Sequence, residues 1–463
     1  MSSGPTASSL LAIVVRAETR PARMLRLALI VVLSSYVVIS LYGAVVSLFP
    51  PYVYLKDFIQ EYLLARALLS GVDPYLQLPA LTTLFLGPLP NLVFPHPSPH
   101  PPPVAVLCLP FALLDYRQAA LLWMILQLTC LFAAFRLLAG MWYVRRGIAV
   151  AGVAALLTLG WAPVLADVLV GQMGIILLLL ASLAWRELRL RKQVRAGLLI
   201  GGMLSLKLLG WPLVVLLLIR REWRASLAAV SAWLGFNGIA ALLVGFDVVV
   251  RYYTEVGSAV FALYRAHERN ISLWSVGWRL FDGTGSPVVA GLTAPPLFAS
   301  TVLAQLVSYG LPALFSVGGL ALTARTRRLD TAFSILLCVS ILVSPIAWMH
   351  YLSLALLPLA VCLKHLMRRG FPRPSTYIGA AIAFSWFVAP AQLDALALRL
   401  GGGDPAQIGQ VSVPLAASLV TLAPTLGLLL LIVLLWSLDR GLPPDGDEGT
   451  IVRQMDKGKP AIL

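Results

Sequence analysis

The run LRLALIVVLSSYVVISLYGAVVSL, Leu25–Leu48, is followed after a short link by Lys56-Asp57-Phe58-Ile59-Gln60-Glu61-Tyr62. An apolar stretch of this length matches the roughly 20 residues that an α-helix needs to cross the hydrocarbon core of a bilayer. It is too long for a signal-peptide core and no small-residue cleavage site follows it, so it reads as a retained helix. Arg16, Arg20, Arg23 and Arg26 precede or open it and place its N-terminus in the cytoplasm. The polar stretch opened by Asp57 then falls on the outer face. A carboxylate where a hydrophobic helix leaves the bilayer is a candidate for proton chemistry at a membrane surface, although many such groups are only solvated helix ends.

The rest of the chain extends this reading. Of 463 residues, 59% are hydrophobic and only 12% charged, with a mean hydropathy of +0.87, whereas about a quarter of residues are charged in soluble domains. The fold class is therefore an all-α polytopic integral membrane protein. The net charge of +15 sits in short clusters between apolar runs, such as Arg186/Arg189/Arg191/Lys192/Arg195, Arg220/Arg221/Arg224 and Arg325/Arg327/Arg328. That distribution marks cytoplasmic loops and excludes nucleic acid as a partner. Cys108, Cys130, Cys338 and Cys362 lie in apolar runs without CxxC spacing and read as small core residues.

Further apolar runs cover Gln118–Ala139, Val168–Trp185, Ala225–Phe246, Ala299–Ala321, Thr331–Ala347, Leu352–Leu366, Tyr377–Ala391 and Pro414–Leu438, with shorter ones at Pro103–Leu114 and Ile148–Val164. Ala196–Ile219 is flanked by Arg195 and Arg220, so both ends are expected in the cytoplasm. At about 1.5 Å per residue it cannot cross twice, and it reads as two half-helices meeting near Lys207-Leu208-Leu209-Gly210-Trp211-Pro212. If Asp57 and Gln172 are both outside, one of the two short runs between them does not span. The total is about 10 to 13 membrane segments.

The organisation is a basic N-terminus (1–24), a transmembrane domain (25–438) and a disordered cytoplasmic tail (439–463). Two long outer loops, 49–102 and 247–297, carry short amphipathic helices. Phe58–Ser70, with Phe58, Tyr62, Ala65 and Leu69 at helical spacing, is expected to lie on the membrane surface. Phe94 to Pro103 is Pro-rich and reads as extended. Trp123, Trp142, Trp161, Tyr252, Tyr253 and Trp274 read as interfacial belt residues.

Polar residues in this setting need a reason. Asp73 precedes a proline and suits a turn. His96 and His100 flank a proline run without a third ligand that would make a metal site. His350, between two apolar runs at the outer boundary, is an ionisable ring that needs a polar reason to sit there, and Lys207, inside one run, is expected to face a wet cavity or an anionic group or to snorkel to the surface. No paired interrupted segments recur in two halves, which counts against the rival reading of a solute transporter or lipid flippase.

Several features in order resemble glycosyltransferase family 87, the polyprenyl-phosphate-mannose-dependent mannosyltransferases of the GT-C superfamily. They are Asp57-Phe58 followed by Ala67-Leu68-Leu69-Ser70-Gly71-Val72-Asp73-Pro74-Tyr75; Pro101-Pro102-Pro103; Gly171-Gln172; Gly197 to Lys207 ahead of Pro212; Asn270-Ile271-Ser272-Leu273; and Ser344-Pro345-Ile346-Ala347-Trp348-Met349-His350. The resemblance covers about residues 25–440. Met349-His350 stands where a His-His pair is usual, and Asn270-Ile271-Ser272 where Asn-Gln-Ser is usual.

The resemblance implies a GT-C-like fold, Asp57 as catalytic base and His350 in the same active site. It implies inverting transfer of a hexose, most simply mannose, from a polyprenyl-phosphate donor to a glycolipid or glycan acceptor at the outer face of a bacterial plasma membrane. Candidate substrate contacts are Glu61, Tyr62, Asp73, Tyr75, His96, His100, Gln172, Lys207, Asn270 and Trp348. Arg265, Arg269 and Arg279, together with His350, are candidates for the leaving phosphate. Membrane lipids are further partners. Neither a cofactor nor a divalent metal is expected, because a phosphate is already a good leaving group.

Overall fold

The computed structural model describes residues 20–89, 94–140, 155–369, 373–404 and 409–440. Most of residues 1–24, nearly all of the tail at 439–463, and Trp142 lie outside the described residues. Apolar runs become helices because a backbone away from water must bond its N–H and C=O groups within the segment. In chain order α1 (Arg20–Val46) precedes two short helices, α2 (Phe58–Leu69) and α3 (Leu78–Leu86), then α4 (Pro102–Ala112) and α5 (Tyr116–Ala139). Next come α6 (Ala162–Val170), α7 (Gly174–Arg189), α8 (Gln193–Leu206), α9 (Trp211–Ile219) and α10 (Trp223–Val244). The second long loop holds α11 (Phe246–Arg251), α12 (Gly257–Tyr264) and α13 (Leu273–Phe281). The chain continues through α14 (Thr301–Arg325), α15 (Leu329–Leu342), α16 (Leu356–Arg369), α17 (Arg373–Phe387), α18 (Pro390–Leu400) and α19 (Ala423–Arg440).

Among the described residues, 5 helical stretches are long and apolar enough to cross a membrane, or up to 6 if the bent pair α6–α7 is one span. Shorter apolar helices, such as Gln193–Leu206 and Leu329–Leu342, account for other runs in the sequence. Uninterrupted spans are fewer than the apolar runs suggested, because apolar character does not separate a crossing from a buried half-helix. The run expected at Val168–Trp185 is broken, with α6 and α7 meeting at 119°. The half-helices expected within Ala196–Ile219 are present as α8 and α9, parted at Lys207. At 11 residues, α4 extends only about 16 Å and is too short to cross alone.

The core is one continuous apolar cluster around α15, in which every residue from Asp330 to Leu342 is buried. Helices α8 and α10 run parallel in close contact: a Cβ on Gly197 would lie 2.1 Å from the Ala225 carbonyl oxygen, and one on Gly201 2.4 Å from that of Ala229. Small residues recurring every fourth position let the two backbones meet. The Phe58–Ser70 helix is found as α2, but it is buried on nearly every side instead of lying on a membrane surface. Phe58 stacks on Trp123 with ring centroids 4.7 Å apart and meets Phe111 edge-on. Its amphipathic spacing was misleading because α4, itself apolar, covers the second face.

A small cap closes one end. Strand β1 (Leu292–Thr293) pairs in parallel with β2 (Val411–Ser412), joining the second long loop to the segment before α19. Leu292, Ala294, Ala397, Leu398 and Val413 form a separate small core there.

Candidate active site

Asp57 stands at the N-terminus of α2, where an aspartate ordinarily caps the helix with its side chain. Here no such bond forms. The carboxylate turns away instead, and its Oδ2 accepts a hydrogen bond of 3.1 Å from Gln172 Nε2. Lys56, next in the chain, donates from Nζ to the Leu169 carbonyl at 2.6 Å, which ties the start of α2 to the end of α6.

Gln172 owes its position to the break between α6 and α7. Gly171 ends α6 with φ +75°, and a Cβ there would lie 2.9 Å from Phe58 Cβ, so both conformation and space require glycine. Trp123 Nε1 donates to the Gly171 carbonyl at 2.7 Å. Gln127 Nε2 donates to the carbonyls of Gln172 and Asp167 at 2.7 and 3.0 Å. Below the turn, Asp167 is fully buried and its Oδ2 accepts from Ser353 Oγ at 2.9 Å. These bonds satisfy backbone groups freed by a helix break at membrane depth.

The second break brings a cation to the same place. Lys207, between α8 and α9, donates from Nζ to Gln172 Oε1 at 2.8 Å and to Tyr351 Oη at 3.0 Å, and sits 4.1 Å from the centre of the Tyr351 ring. His350 stacks on Tyr351, with centroids 4.9 Å apart. Asp57, Gln172, Lys207 and Tyr351 thus form one hydrogen-bonded chain, with His350 beside its end.

This chain lies in a cavity of about 940 Å³. His96 bonds through Nε2 to Tyr264 Oη at 2.7 Å in its wall. Tyr264 and His267 both meet Trp348 edge-on. His100 Nε2 lies 3.0 Å from the buried Glu61 carboxylate. Arg269 is held by Asp394, with Nη2 and Nε at 2.6 and 2.8 Å from the same oxygen. From this polar end the cavity extends to Leu208, Trp211 and Tyr309, which are exposed on the outside of the helix bundle. Among the lining residues, Gln60 Oε1 and His350 Nε2 are buried with no hydrogen-bond partner among the described residues, while His100 Nε2 faces the Glu61 carboxylate.

Burial pushes the Asp57 carboxyl up to about 7, and the nearby charge of Glu61 adds to the push. The Gln172 hydrogen bond and the charges of Lys207 and Lys56 pull it back. An acid poised near neutrality is matched to proton abstraction at physiological pH. Burial lowers the His96 pKa, so its ring is neutral in this wall.

Of the candidates from the sequence, Asp57, His96, His100, Gln172, Lys207, Arg269, Trp348 and His350 line this single cavity. The others stand behind it. Glu61 touches His100 from behind, and Tyr75 donates to the His100 carbonyl at 2.8 Å. Asp73 shapes a turn by accepting from the Tyr75 N–H at 2.9 Å and pairs with Arg251. Tyr62 donates to the Leu114 carbonyl. Asn270 braces two loops, its Oδ1 accepting from the N–H groups of Ser272 and Ala347. Arg265 pairs with Asp282 and covers Trp278. Arg279 is fully buried and donates to the Ser418 carbonyl and to Thr421 Oγ1.

Several expected belt residues are internal: Trp123, Trp161 and Tyr252 are buried, and Tyr253 and Trp274 line the cavity. Aromatic rings suit a packed site as well as an interface, so composition could not separate the two. Sequence reading passed over Asp167, Gln127, Gln60 and Tyr351. An acid within Val164-Leu165-Ala166-Asp167-Val168 was the available signal, since intramembrane carboxylates are costly and rarely idle.

The largely helical fold thus encloses one cavity that joins the Asp57 carboxyl to an exposed apolar flank. Residues 99–345 match the family model of glycosyltransferase family 87. The match spans more than half of the chain, which therefore belongs to that family and is a membrane glycosyltransferase. No curated protein and no solved structure matches the chain.

Proposed function

We propose that the chain transfers a hexose, mannose by its family resemblance, from a polyprenyl-phosphate carrier to a hydroxyl of a glycolipid or glycan at the outer face of the plasma membrane. The observation that carries this reading is the continuity of the cavity. One end holds Asp57 and the unpartnered atoms of Gln60 and His350, which suit a polyhydroxylated substrate. The other end reaches Leu208, Trp211 and Tyr309, where an isoprenoid tail would remain among apolar surfaces. The clusters of arginine at the opposite ends of the helices favour an outward-facing Asp57.

In the proposed step Asp57 takes the proton of the acceptor hydroxyl while that oxygen forms a bond to the anomeric carbon. The bond from that carbon to the phosphate oxygen breaks, and polyprenyl phosphate leaves with its electron pair. Arg269, held by Asp394, and His100 are the lining groups suited to the anionic leaving group. The scheme uses no divalent metal.

Proteoliposomes loaded with labelled polyprenyl-phosphate-mannose and a lipid-linked glycan extract are expected to yield labelled glycan. Label that crosses the bilayer without any covalent change would support a carrier and sink this reading.

The pH profile gives a second check. A base must be ionised to act, so kcat/KM is expected to rise with pH through a midpoint near 7. Removing the Glu61 charge in Glu61→Gln lowers that midpoint, whereas removing the Gln172 hydrogen bond in Gln172→Leu raises it. Midpoints that ignore both substitutions would separate the profile from Asp57.

A further inference from the structure

The far end of α8 holds a second cavity, of about 550 Å³, which the transfer reaction does not use. Helix α8 has 14 residues, so at 1.5 Å per residue this cavity lies about 20 Å from Lys207, on the other face of the protein. Arg191, Lys192, Arg195, Arg221 and Arg224 line it, and no acid does. The Glu222 carboxylate, in the same turn, lies 3.7 Å from the largely exposed Arg191 guanidinium.

Two matching turns build it. Arg191 and Arg221 both adopt left-handed backbone conformations, with φ 60° and 57°. The N–H of the residue after each reaches back to the preceding helix in the same way, Lys192 to Glu187 and Glu222 to Leu217, each at 2.9 Å. Glycine is the usual occupant of such a position because an L side chain is strained there. Arginine stands in it twice. The turns start α8 and α10, which run parallel in contact, so like charges gather where two positive helix ends already coincide. The five cations repel one another, with Glu222 close to Arg191 alone, and an anion seated among them offsets that repulsion.

The surroundings select the kind of anion. Val194 and Trp223 line the same cavity and are exposed, and Leu198 and Leu227, one turn further along the same helix faces, are exposed as well. A cationic cup with an apolar track leading from it along two helices matches a phosphate headgroup joined to acyl chains. We infer that the cup at the starts of α8 and α10 is a binding site for an acidic phospholipid in the leaflet opposite Asp57. The phosphate lies among Arg195, Arg224 and Arg191, and the acyl chain lies over Leu198 and Leu227. The site rests on its own residues and stands whether or not the sugar or carrier proposed above is right.

The experiment is native mass spectrometry of the full chain in detergent micelles doped with phosphatidylglycerol or phosphatidylcholine. Wild-type protein is expected to retain phosphatidylglycerol preferentially. Each basic residue near an anionic lipid surface contributes enough that the double variant Arg195→Gln/Arg224→Gln should weaken retention roughly 10- to 30-fold. Arg325→Gln/Arg327→Gln, which removes exposed charge on the same face but outside the cup, should retain the lipid as wild type does. Equal retention of the two lipids, or equal loss in both double variants, would overturn the site as general surface charge. Full displacement by soluble glycerol phosphate would overturn the lipid assignment in favour of a free phosphate ligand. Because both variants lie on the solvent-facing ends of helices, unchanged thermal unfolding in detergent distinguishes lost binding from lost fold.

Discussion

Replacing Asp57 with asparagine is expected to lower kcat for sugar transfer by about 10²- to 10⁴-fold, the usual contribution of general-base assistance. The isosteric amide keeps an oxygen to accept from Gln172, and Asp57 makes no helix-capping bond that would be lost. The variant should therefore reach the membrane in normal amount and unfold at an unchanged temperature. Donor binding should be little affected, because the substitution alters the proton acceptor and not the apolar end of the cavity. Transfer assays with labelled donor, run beside thermal unfolding in detergent, separate these effects. Full activity in the folded variant removes Asp57 from the chemistry while leaving the family assignment intact.

Gly174→Ala is expected to destabilise the protein by about 1–3 kcal/mol, as overpacking of a closed interior does. A methyl group there would sit 2.2 Å from Asp167 Oδ2, 2.6 Å from Ser353 Oγ and 2.9 Å from the His350 carbonyl oxygen. The backbone oxygen cannot rotate away. Either the start of α7 shifts, moving Gln172 off Asp57, or the segment carrying His350 and Tyr351 shifts and releases Lys207. Both routes disturb the same hydrogen-bonded chain, so transfer activity should fall together with stability. A lowered midpoint of thermal unfolding with full activity would mean that the two breaks are not coupled in this way. Ala at Gly202, where an added Cβ meets nothing, is the matched control.

The membrane class and the helical content were legible from residues near one another in the chain, and so was one acid, Asp57, that lines the cavity. The Leu25–Leu48 run and the stretch after it led to Asp57, and the length of Ala196–Ile219 between Arg195 and Arg220 led to the break between α8 and α9. The sharp bend between α6 and α7 was not legible, because the sequence around Gly171-Gln172 is apolar enough to continue as one straight span. The arginines show the same limit. Arg265, Arg269 and Arg279 fall within one loop and share a charge, yet Arg269 alone lines the cavity while Arg265 faces Asp282 and Arg279 is buried against Ser418.

Sequence by itself determined that this chain folds as membrane helices, because the cost of an unbonded backbone in hydrocarbon depends only on local apolar character and length. It also placed an acid at the exit of the first helix. Only the tertiary structure decided that Asp57, Gln172, Lys207 and Tyr351, distant in the chain, meet in one file. Such a meeting depends on where two helices break and how they bend, and on Gly171 and Gly174 leaving room for neighbours from other helices. Those are properties of the packed interior, which no single segment contains.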